Sequence, residues 1–487
     1  MTESATTAGQ QQVLADASSG ELVDLSGLVA EERVVSPDLV RRLCVGPEAK
    51  DVDPRGIRIK GAHFVQPLDL SYTNVPHPLE FEATTFDATP DLSRADLPVL
   101  WLVDCKLPGL RANGIRTNDI RLVSSTLSGT VWLDGTKIDG SLDCSSATLS
   151  DEAGTALTAS QAEISGDVIL SGGFSATGAV GFIRAKIGGR LDCSGATLSN
   201  TDGVAFSADG AEISGGVYLL GGFSASGAVR LAGAKIGGQL LCRGVTLSNK
   251  GGYALTVDGA EIRGDVFLGG DVFLWGFSAD GGVRLPGAKI GGQLDCPGAV
   301  LINESGNALV AEGAEISGGV FLRSGFSAKG AVSLRGAKIG VALVCFDATL
   351  VNEADVALGG RDAVIDGALI FRNVSVTGGL DLFRASATTL DDDLGREDDP
   401  LGSWGGVKPL VLDGFDYRRF DDKADWDSKT RGRWLESTFR FQQGAWQQLI
   451  EVYRSVGRDD EATRTAIAMH NDRVRRAGLP WYRRWGR

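Results

Sequence analysis

Small and hydrophobic residues recur in pairs along the middle of this chain, with one residue between the two members of each pair. Eight such pairs run from Val180/Phe182 to Phe223/Ala225. Because side chains alternate across an extended backbone, both members of a pair face the same way and the residue between them faces outward. Successive pairs begin five or six residues apart, except for one ten-residue step across Ser199 to Val204. This spacing predicts a coil that turns a corner after every two or three residues, with glycines at many corners.

The same pattern returns along the sequence. The phrase Gly-Ala-Glu-Ile begins at Gly210, and close relatives begin near Gln161, Gly259 and Gly313. A second phrase, Gly-Ala-Lys-Ile-Gly-Gly, lies between them, and its lysines are spaced 49, 54 and 49 residues apart. Self-similarity of this kind predicts a solenoid, in which each unit buries its apolar face against its neighbours.

The charged residues indicate how many sides each coil has. Eight pairs per repeat divide into two coils of four sides but not into coils of three. If every fourth pair lies on one face, the outward residues of that face alternate in sign, which is favourable between rungs ~4.8 Å apart. A three-sided coil would scatter these charges. The predicted Lys/Glu ladder consists of Lys137, Glu163, Lys186, Glu212, Lys235, Glu261, Lys289, Glu315 and Lys338.

Weaker pairs extend the pattern upstream to Ile57/Ile59, and downstream it fades after Ala363/Ile365 and Val374. Residues 57–385 are therefore predicted to form an all-β solenoid of roughly 13 coils. This segment resembles the pentapeptide-repeat proteins in having a small residue two positions before a large inward one. The resemblance implies a right-handed, four-sided β-helix. The residues that carry it are Ala95-Asp96-Leu97, Ala162-Glu163-Ile164, Ala185-Lys186-Ile187 and Ala196-Thr197-Leu198.

Two further stretches lie near the two ends of the chain: Leu39–Leu43 with Asp53–Ile59, and Gln448–Arg454 with Gly457-Arg458. Through these stretches the chain as a whole is similar to a group of actinobacterial proteins labelled membrane-associated oxidoreductases. The resemblance implies membrane association and, by the label alone, a redox activity. Proteins of this group typically continue into membrane spans after a basic stretch similar to the one that ends this chain.

The two ends differ in composition from the solenoid. Residues 1–35 are predicted to be mostly disordered, because the first twenty are polar. Ser36-Pro37 is typical of a helix start, so residues 36–56 are predicted to form a short helical cap. Residues 386–413 are predicted to be an acidic loop and residues 414–487 a helical, basic segment. Its helical hairpin is indicated by Trp446, Leu449, Ile450 and Tyr453, by Gly457 at the end of one helix, and by Asp459-Asp460-Glu461 at the start of the next.

Charge is distributed unevenly along the chain. The net charge is −14, and residues 414–487 hold 16 Arg/Lys against 11 Asp/Glu, so this segment carries +5 and residues 1–413 carry −19. Arginines mixed with Trp and Tyr suit the headgroup zone of an anionic membrane. No run of 18 apolar residues is present. The predicted membrane-contact residues are Arg473, Arg475, Arg476, Trp481, Tyr482, Arg483, Arg484, Trp485 and Arg487.

Five of the seven cysteines follow the repeat and occupy one inward position every second coil. Neighbours in this column are ~9.6 Å apart, beyond disulfide reach, and a column does not converge on a metal ion. The prediction is free, buried thiols in a reducing compartment, which indicates a cytoplasmic chain, placed by its basic C-terminus at the inner face of the plasma membrane. The column comprises Cys144, Cys193, Cys242, Cys296 and Cys345.

The sequence lacks the motifs that are typical of catalytic and metal sites. The chain has no phosphate-binding loop and no His-Glu-x-x-His, and its three histidines lack metal-site spacing. The carboxylates beside the cysteine column are predicted to form a solvated face. No catalytic residue, metal ligand or cofactor is therefore predicted, and no cofactor-binding residue can be named. The three histidines are His63, His77 and His470, and the carboxylates beside the cysteine column are Asp143, Asp192 and Asp295.

These features are compatible with three functions. The leading hypothesis is a non-catalytic rigid scaffold that binds an unknown protein partner and associates peripherally with the cytoplasmic membrane face. An alternative is DNA mimicry at a type II topoisomerase such as gyrase, which suits the −19 of residues 1–413 without direct nucleic-acid binding. A third is the oxidoreductase activity of the family label, with a flavin or nicotinamide bound to the chain.

Overall fold

A computed structural model describes residues 7–270, 276–395 and 399–477 of the 487-residue chain. Contact density divides the chain into two units. Unit 1 comprises Met1–Leu241 with Val245–Ser248, and unit 2 comprises Cys242–Gly244 with Asn249–Arg487. Each unit contains a parallel β-solenoid, and the described residues form about 14 turns. The predicted fold class is confirmed.

Four parallel ladders run through unit 1, one for each side of the coil. Lys137 pairs with Glu163, Leu142 with Val168, Thr148 with Ser175, and Thr158 with Gly181. The four-sided prediction is therefore correct, and the three-sided alternative is excluded. The strands of unit 1 are Val23–Asp24, Ile57–Lys60, His63–Phe64, Leu79–Glu82, Thr85–Phe86, Val99–Val103, Lys106–Leu107, Leu110–Arg111, Arg116–Thr117, Asp119–Arg121, Thr126–Leu127, Val131–Trp132, Lys137–Ile138, Leu142–Asp143, Thr148–Thr158, Glu163–Ile164, Val168–Ile169, Ser175–Gly181, Lys186–Ile187, Leu191–Asp192, Thr197–Ser207, Glu212–Ile213, Val217–Leu220, Ser224–Arg230 and Lys235–Ile236.

Unit 2 repeats this arrangement. Its ladders pair Lys289 with Glu315, Leu294 with Val320, and Val300 with Ser327. Leu240–Arg243 and Val245–Thr256 include residues of both units. The other strands of unit 2 are Glu261–Ile262, Val266–Leu268, Phe277–Arg284, Lys289–Ile290, Leu294–Asp295, Val300–Val310, Glu315–Ile316, Val320–Arg323, Ser327–Ser333, Lys338–Ile339, Ala342–Gly359, Val364–Asp381, Ser386–Asp392, Leu410–Val411 and Asp416–Phe420.

The ten-residue steps form excursions that are held by a recurring asparagine. In unit 1, Asn200 Nδ2 donates to the carbonyl of Val204 at 2.9 Å. In unit 2, Asn303 and Asn352 make the same bond to the fourth residue downstream, each at 2.9 Å. A glycine of the following coil lies under the unit 1 excursion: Gly227 has φ +116°, and a Cβ there would come within 2.4 Å of the Asn200 carbonyl oxygen. The excursions are thus built into the coil by side-chain and backbone contacts.

Helices cover the N-terminal part of unit 1. Helix α1 spans Ala8–Asp16 and begins with a capping box between Thr7 and Gln10, and α2 spans Pro37–Val45. Short 3₁₀ helices lie at Ala30–Arg33 and Pro47–Asp51. The predicted apolar face of α2 is buried, although the Ser36 side chain makes no capping hydrogen bond.

The structure differs from the predicted boundaries at both ends. Helix α1 and the strand Val23–Asp24 lie within residues 1–35, where little order was predicted, because Val13, Val23 and Leu25 are buried despite their polar neighbours. The solenoid also continues beyond 385. Strand Ser386–Asp392 and strand Asp416–Phe420 pair in parallel, so much of the predicted acidic loop belongs to further coils.

Three helices follow the last strand of unit 2. They are α3 (Ser428–Glu436), α4 (Gln443–Ser455) and α5 (Asp459–Arg476), and a 3₁₀ helix spans Gly402–Trp404. The predicted helical hairpin corresponds to α4 and α5. We call α3–α5 the C-terminal cap, because their buried aromatic side chains pack against the last coils.

Candidate interaction surfaces

The Lys/Glu ladder lies on one side of the coil in each unit. In unit 1, Lys137, Glu163, Lys186, Glu212 and Lys235 occupy consecutive rungs. In unit 2 the same is true of Glu261, Lys289, Glu315 and Lys338. Within each unit, the structure therefore brings together the residues that the sequence placed on one face.

Within the ladder, a lysine ion-pairs with the glutamate of the preceding coil. The nitrogen–oxygen distances are 3.3 Å for Lys186–Glu163 and 2.9 Å for Lys235–Glu212. In unit 2 they are 3.6 Å for Lys289–Glu261 and 2.8 Å for Lys338–Glu315. All these side chains are more than half exposed, so water and salt screen the pairs and each contributes little to stability.

The pKa values of the ladder follow this pairing. The hydrogen bond from Lys235, and then its charge, lowers the pKa of Glu212 below its usual value. Lys338 lowers the pKa of Glu315 in the same way, and Glu315 raises the pKa of Lys338. The ionised form of both glutamates is therefore favoured, so neither is a good proton donor at neutral pH.

A second face of unit 1 presents neutral hydroxyl groups. Thr148, Ser175, Thr197 and Ser224 form one outward column in register. Ser175 Oγ donates to Thr148 Oγ1 at 3.3 Å, and Ser224 Oγ donates to Thr197 Oγ1 at 3.4 Å. The sequence pattern did not indicate this column, because neutral hydroxyl side chains show no alternation of charge that would distinguish them.

The cysteines are free and buried. In unit 2, Leu322 is the direct rung partner of Cys345, so a leucine separates that cysteine from the one two coils away. Burial raises the pKa of Cys345 to about 12 and also raises the pKa values of Cys144, Cys193, Cys242 and Cys296. Because the thiolate is the reactive form, these thiols are poor nucleophiles and metal ligands at neutral pH.

The carboxylates beside the cysteine column do not share one environment. Asp143 and Asp192 accept hydrogen bonds from the backbone and hydroxyl of Ser145 and Ser194, respectively, so they stabilise turns. Asp295 differs from the predicted solvated face, because it is 2% exposed. Arg323, whose Nη2 lies 2.8 Å from Asp295 Oδ2, covers this carboxylate.

A polar groove of about 480 Å³ lies in unit 2 where the 3₁₀ helix meets the last coils. Its polar side chains largely bond to one another: Asn373 Nδ2 donates to Asp347 Oδ1 at 3.1 Å, and Ser403 Oγ donates to Asp393 Oδ2 at 2.9 Å. The backbone N–H of Val374 donates to Ser403 Oγ at 2.9 Å. These bonds tie the 3₁₀ helix to the solenoid.

A buried ion pair joins the C-terminal cap to the solenoid strand Ser386–Asp392. Arg431 Nη1 and Nη2 donate to the two oxygens of Asp392 at 2.6 and 3.0 Å. Both side chains have 0% exposure. Trp404 Nε1 donates to Asp392 Oδ2 at 3.1 Å, and the Arg431 guanidinium lies 3.8 Å from the ring centroid of Phe420. Arg431 Nε donates to the carbonyl of Asp425 at 2.7 Å. The last coils, α3 and the segment between them therefore position both charged groups.

The predicted membrane-contact residues are only partly described. Arg473, Arg475 and Arg476 lie in the last turn of α5, and Arg473 is exposed. Arg475 and Arg476 pair with buried Asp472 at 2.6 and 2.8 Å, so part of their charge is compensated within the cap. Trp481, Tyr482, Arg483, Arg484, Trp485 and Arg487 lie outside the described residues.

Within residues 7–270, 276–395 and 399–477, no group of three or more His, Cys, Asp and Glu side chains is arranged to hold a metal ion. No helix in that same part of the chain is long and apolar enough to cross a membrane. His63 contacts Asp87 at 2.9 Å, and His77 donates to the carbonyl of Ala49 at 2.9 Å.

Comparisons with known proteins complete this description. No family model, no curated protein and no solved structure matches the chain.

Proposed function

We propose that this protein is a non-catalytic β-solenoid scaffold that presents its faces to a protein partner and associates peripherally with the cytoplasmic membrane surface through its C-terminal end. The observation that carries the proposal is the way the outward charged residues pair with one another. In both units, each glutamate of the ladder pairs with the lysine of the next coil, and the charges do not converge on one point. A repeated, regular face of this kind suits binding over a long surface.

The thiols support the non-catalytic part of the proposal. Burial raises the pKa of every cysteine in the column, and the neighbouring carboxylates accept turn hydrogen bonds or pair with arginine. A visible absorption spectrum of freshly purified protein tests this part most cheaply. We expect no flavin band and no response to nicotinamide titration; either signal would contradict the proposal and favour the oxidoreductase alternative.

The membrane part rests on the charge of the C-terminal segment. Residues 414–487 carry +5, and the final residues combine arginines with Trp481, Tyr482 and Trp485. Arginine near an anionic bilayer contributes about 1 kcal/mol per residue, and Trp and Tyr favour the headgroup zone. Several such residues together are enough for reversible adsorption without a membrane-spanning helix.

Vesicle co-sedimentation of the full chain tests the membrane part. We expect binding to phosphatidylserine-containing vesicles and little binding to phosphatidylcholine vesicles. Replacing Arg483, Arg484 and Arg487 together with Glu should weaken binding by more than about tenfold, because three attractive charges become repulsive. The matched control, with the same change in net charge, replaces Arg263, Lys329 and Arg335 of the solenoid with Glu. Equal loss in both variants, or no binding by the unmodified chain, would contradict the C-terminal assignment.

DNA mimicry is favoured by one observation, the net charge of −19 on residues 1–413. The ladder opposes it, since its lysines neutralise its glutamates and leave that face with little net field. A gyrase supercoiling assay separates the two functions. The scaffold proposal expects no inhibition at micromolar protein, whereas inhibition would favour mimicry.

A further inference from the structure

A short loop between α3 and α4, residues 437–442, exposes a phenylalanine. Phe439 is 79% exposed, more than any other large hydrophobic side chain in the part of the chain that the structure describes. Phe441, two residues later, is half-buried. Because most of this aromatic side chain lies in water, its hydrophobic surface is available to a partner.

The loop around Phe439 is fixed at both ends. Thr438 is buried, and its hydroxyl donates to the carbonyl of Leu435 at 2.7 Å. Gln442 is also buried, accepting from the N–H of Leu412 at 2.6 Å and donating to the carbonyl of Leu410 at 2.8 Å. Because both anchors are bonded to the cap or to the solenoid, the loop holds Phe439 outward.

The last turn of α5 lies beside this loop. Arg476 donates to the carbonyl oxygens of Thr438 and Glu436 at 2.8 and 2.7 Å. Arg475 lies 3.6 Å from the Glu436 carboxylate. The loop is therefore adjacent to the end of α5, where the sequence continues into its final basic residues.

The charge around Phe439 is positive. Residues 433–440 and 472–476 contain five arginines and two acids, which leaves a net charge of +3. Both acids, Glu436 and Asp472, are paired with Arg475. Arg433, Arg440 and Arg473 are exposed. An exposed aromatic side chain among arginines is complementary to an anionic lipid surface, where the ring enters the headgroup region and the cations meet phosphates.

We propose that residues 437–442 form a membrane-insertion loop, in which Phe439 enters the boundary between headgroups and acyl chains of an anionic bilayer. Arg433, Arg440 and Arg473 contact the lipid phosphates around it. This inference rests on the membrane association proposed above and adds a hydrophobic contact to the electrostatic one. A protein partner that covers Phe439 is the competing occupant, and the vesicle experiment separates the two.

Co-sedimentation of the full chain with vesicles of phosphatidylcholine and phosphatidylserine tests the loop. Phe439→Ala should weaken partitioning by about tenfold, since it removes the apolar surface that enters the bilayer. Phe439→Trp should bind as well as the unmodified chain or better. Tyr72→Ala is the matched control, because Tyr72 is 72% exposed but belongs to unit 1; we expect no change. The thermal unfolding of Phe439→Ala should match that of the unmodified chain, because the side chain is mainly in water.

The outcomes distinguish this proposal from the one on which it rests. If the unmodified chain binds anionic vesicles and Phe439→Ala binds equally well, the loop proposal is overturned while membrane association stands. If Phe439→Ala and Phe439→Trp lose binding to the same extent, the ring does not insert and the proposal is also overturned. If the unmodified chain binds no anionic vesicles, both proposals fail, and a protein partner becomes the occupant of Phe439.

Discussion

Two kinds of ion pair hold parts of this protein together, and they differ in burial. Glu212–Lys235 in unit 1 is one member of a repeated series, and both side chains are more than half exposed. Asp392–Arg431 in unit 2 is not a member of that series, and both side chains have 0% exposure. The distances are similar, 2.9 and 2.6 Å.

The surroundings explain why similar distances have different consequences. Water screens the ladder pairs, so each adds little, and the coils are held mainly by backbone hydrogen bonds and inward side chains. Asp392 and Arg431 have lost their water, and their charges are compensated only by each other and by neighbours such as Trp404. Removal of one partner there leaves a buried charge without compensation. Burial, rather than regularity, should therefore decide the effect of a substitution.

The largest predicted effect comes from breaking the buried pair. Arg431→Met should destabilise the C-terminal cap by about 3–5 kcal/mol, because Asp392 remains buried without its bidentate donor. Chemical denaturation followed by tryptophan fluorescence measures this, since Trp404 and Trp434 lie within the same cluster. A loss below about 1 kcal/mol would show that the pair is hydrated in solution.

A substitution within the repeat can also be strongly destabilising where neighbouring atoms leave no room for a side chain, and two glycines of unit 1 test this. Gly227→Ala should lower the free energy of unfolding by about 2–4 kcal/mol. The added Cβ would clash with the Asn200 carbonyl oxygen, and the positive φ at this position strains any residue with a side chain. Gly233→Ala is the control: its φ is +64°, but nothing lies within 4 Å of an added Cβ, so about 1 kcal/mol is expected. Equal losses in thermal unfolding would mean that the excursion moves away freely.

A smaller effect is predicted on the ladder. Glu212→Lys would place lysines on three successive rungs, at 186, 212 and 235. We expect the melting temperature to fall by no more than about 2 °C at low ionic strength, and the loss to shrink in high salt. Glu212→Gln, which removes one charge without adding another, should have an intermediate effect. A salt-independent loss would argue against exposed like charges as its cause.

The pH dependence of the ladder has a definite sign. The pKa of Glu212 in the folded state lies below its usual value of 4.5 because Lys235 donates a hydrogen bond to it. Its contribution to stability is therefore present above pH 4.5 and is lost as pH falls through the lowered folded-state pKa. The difference in melting temperature between the unmodified chain and Glu212→Gln should shrink over this range. An increase on acidification would contradict the pairing.

The repeat explains which of these features the sequence could predict. Lys186 and Glu212 could be assigned to one face because the eight apolar pairs of each 49-residue repeat fit two coils of four sides. The same repeat placed the cysteines at one inward position. The burial of Asp295 could not be predicted, because it depends on Arg323. The repeat does not indicate an arginine at this position, since the corresponding residue beside Asp192 in unit 1 is Leu220.

Features without a repeat were beyond the sequence pattern. Asp392 stands in an acidic run that suggested an exposed loop, and its partner Arg431 is 39 residues away. Phe439 resembled any other aromatic residue in a helical segment, because its exposure depends on the anchoring of Thr438 and Gln442. A long-range pair and a loop conformation are both set by tertiary packing, for which a single sequence gives little signal.

Two double-mutant cycles in the same protein test most directly the central claim that burial determines what an ion pair contributes. Asp392→Leu combined with Arg431→Met should restore most of the stability lost in Arg431→Met, giving a coupling of more than about 2 kcal/mol. Glu212→Gln combined with Lys235→Gln should deviate only slightly from additivity in melting temperature, far less than the buried pair, because water screens this exposed pair. Strong coupling in the exposed pair, or additivity in the buried one, would contradict the account.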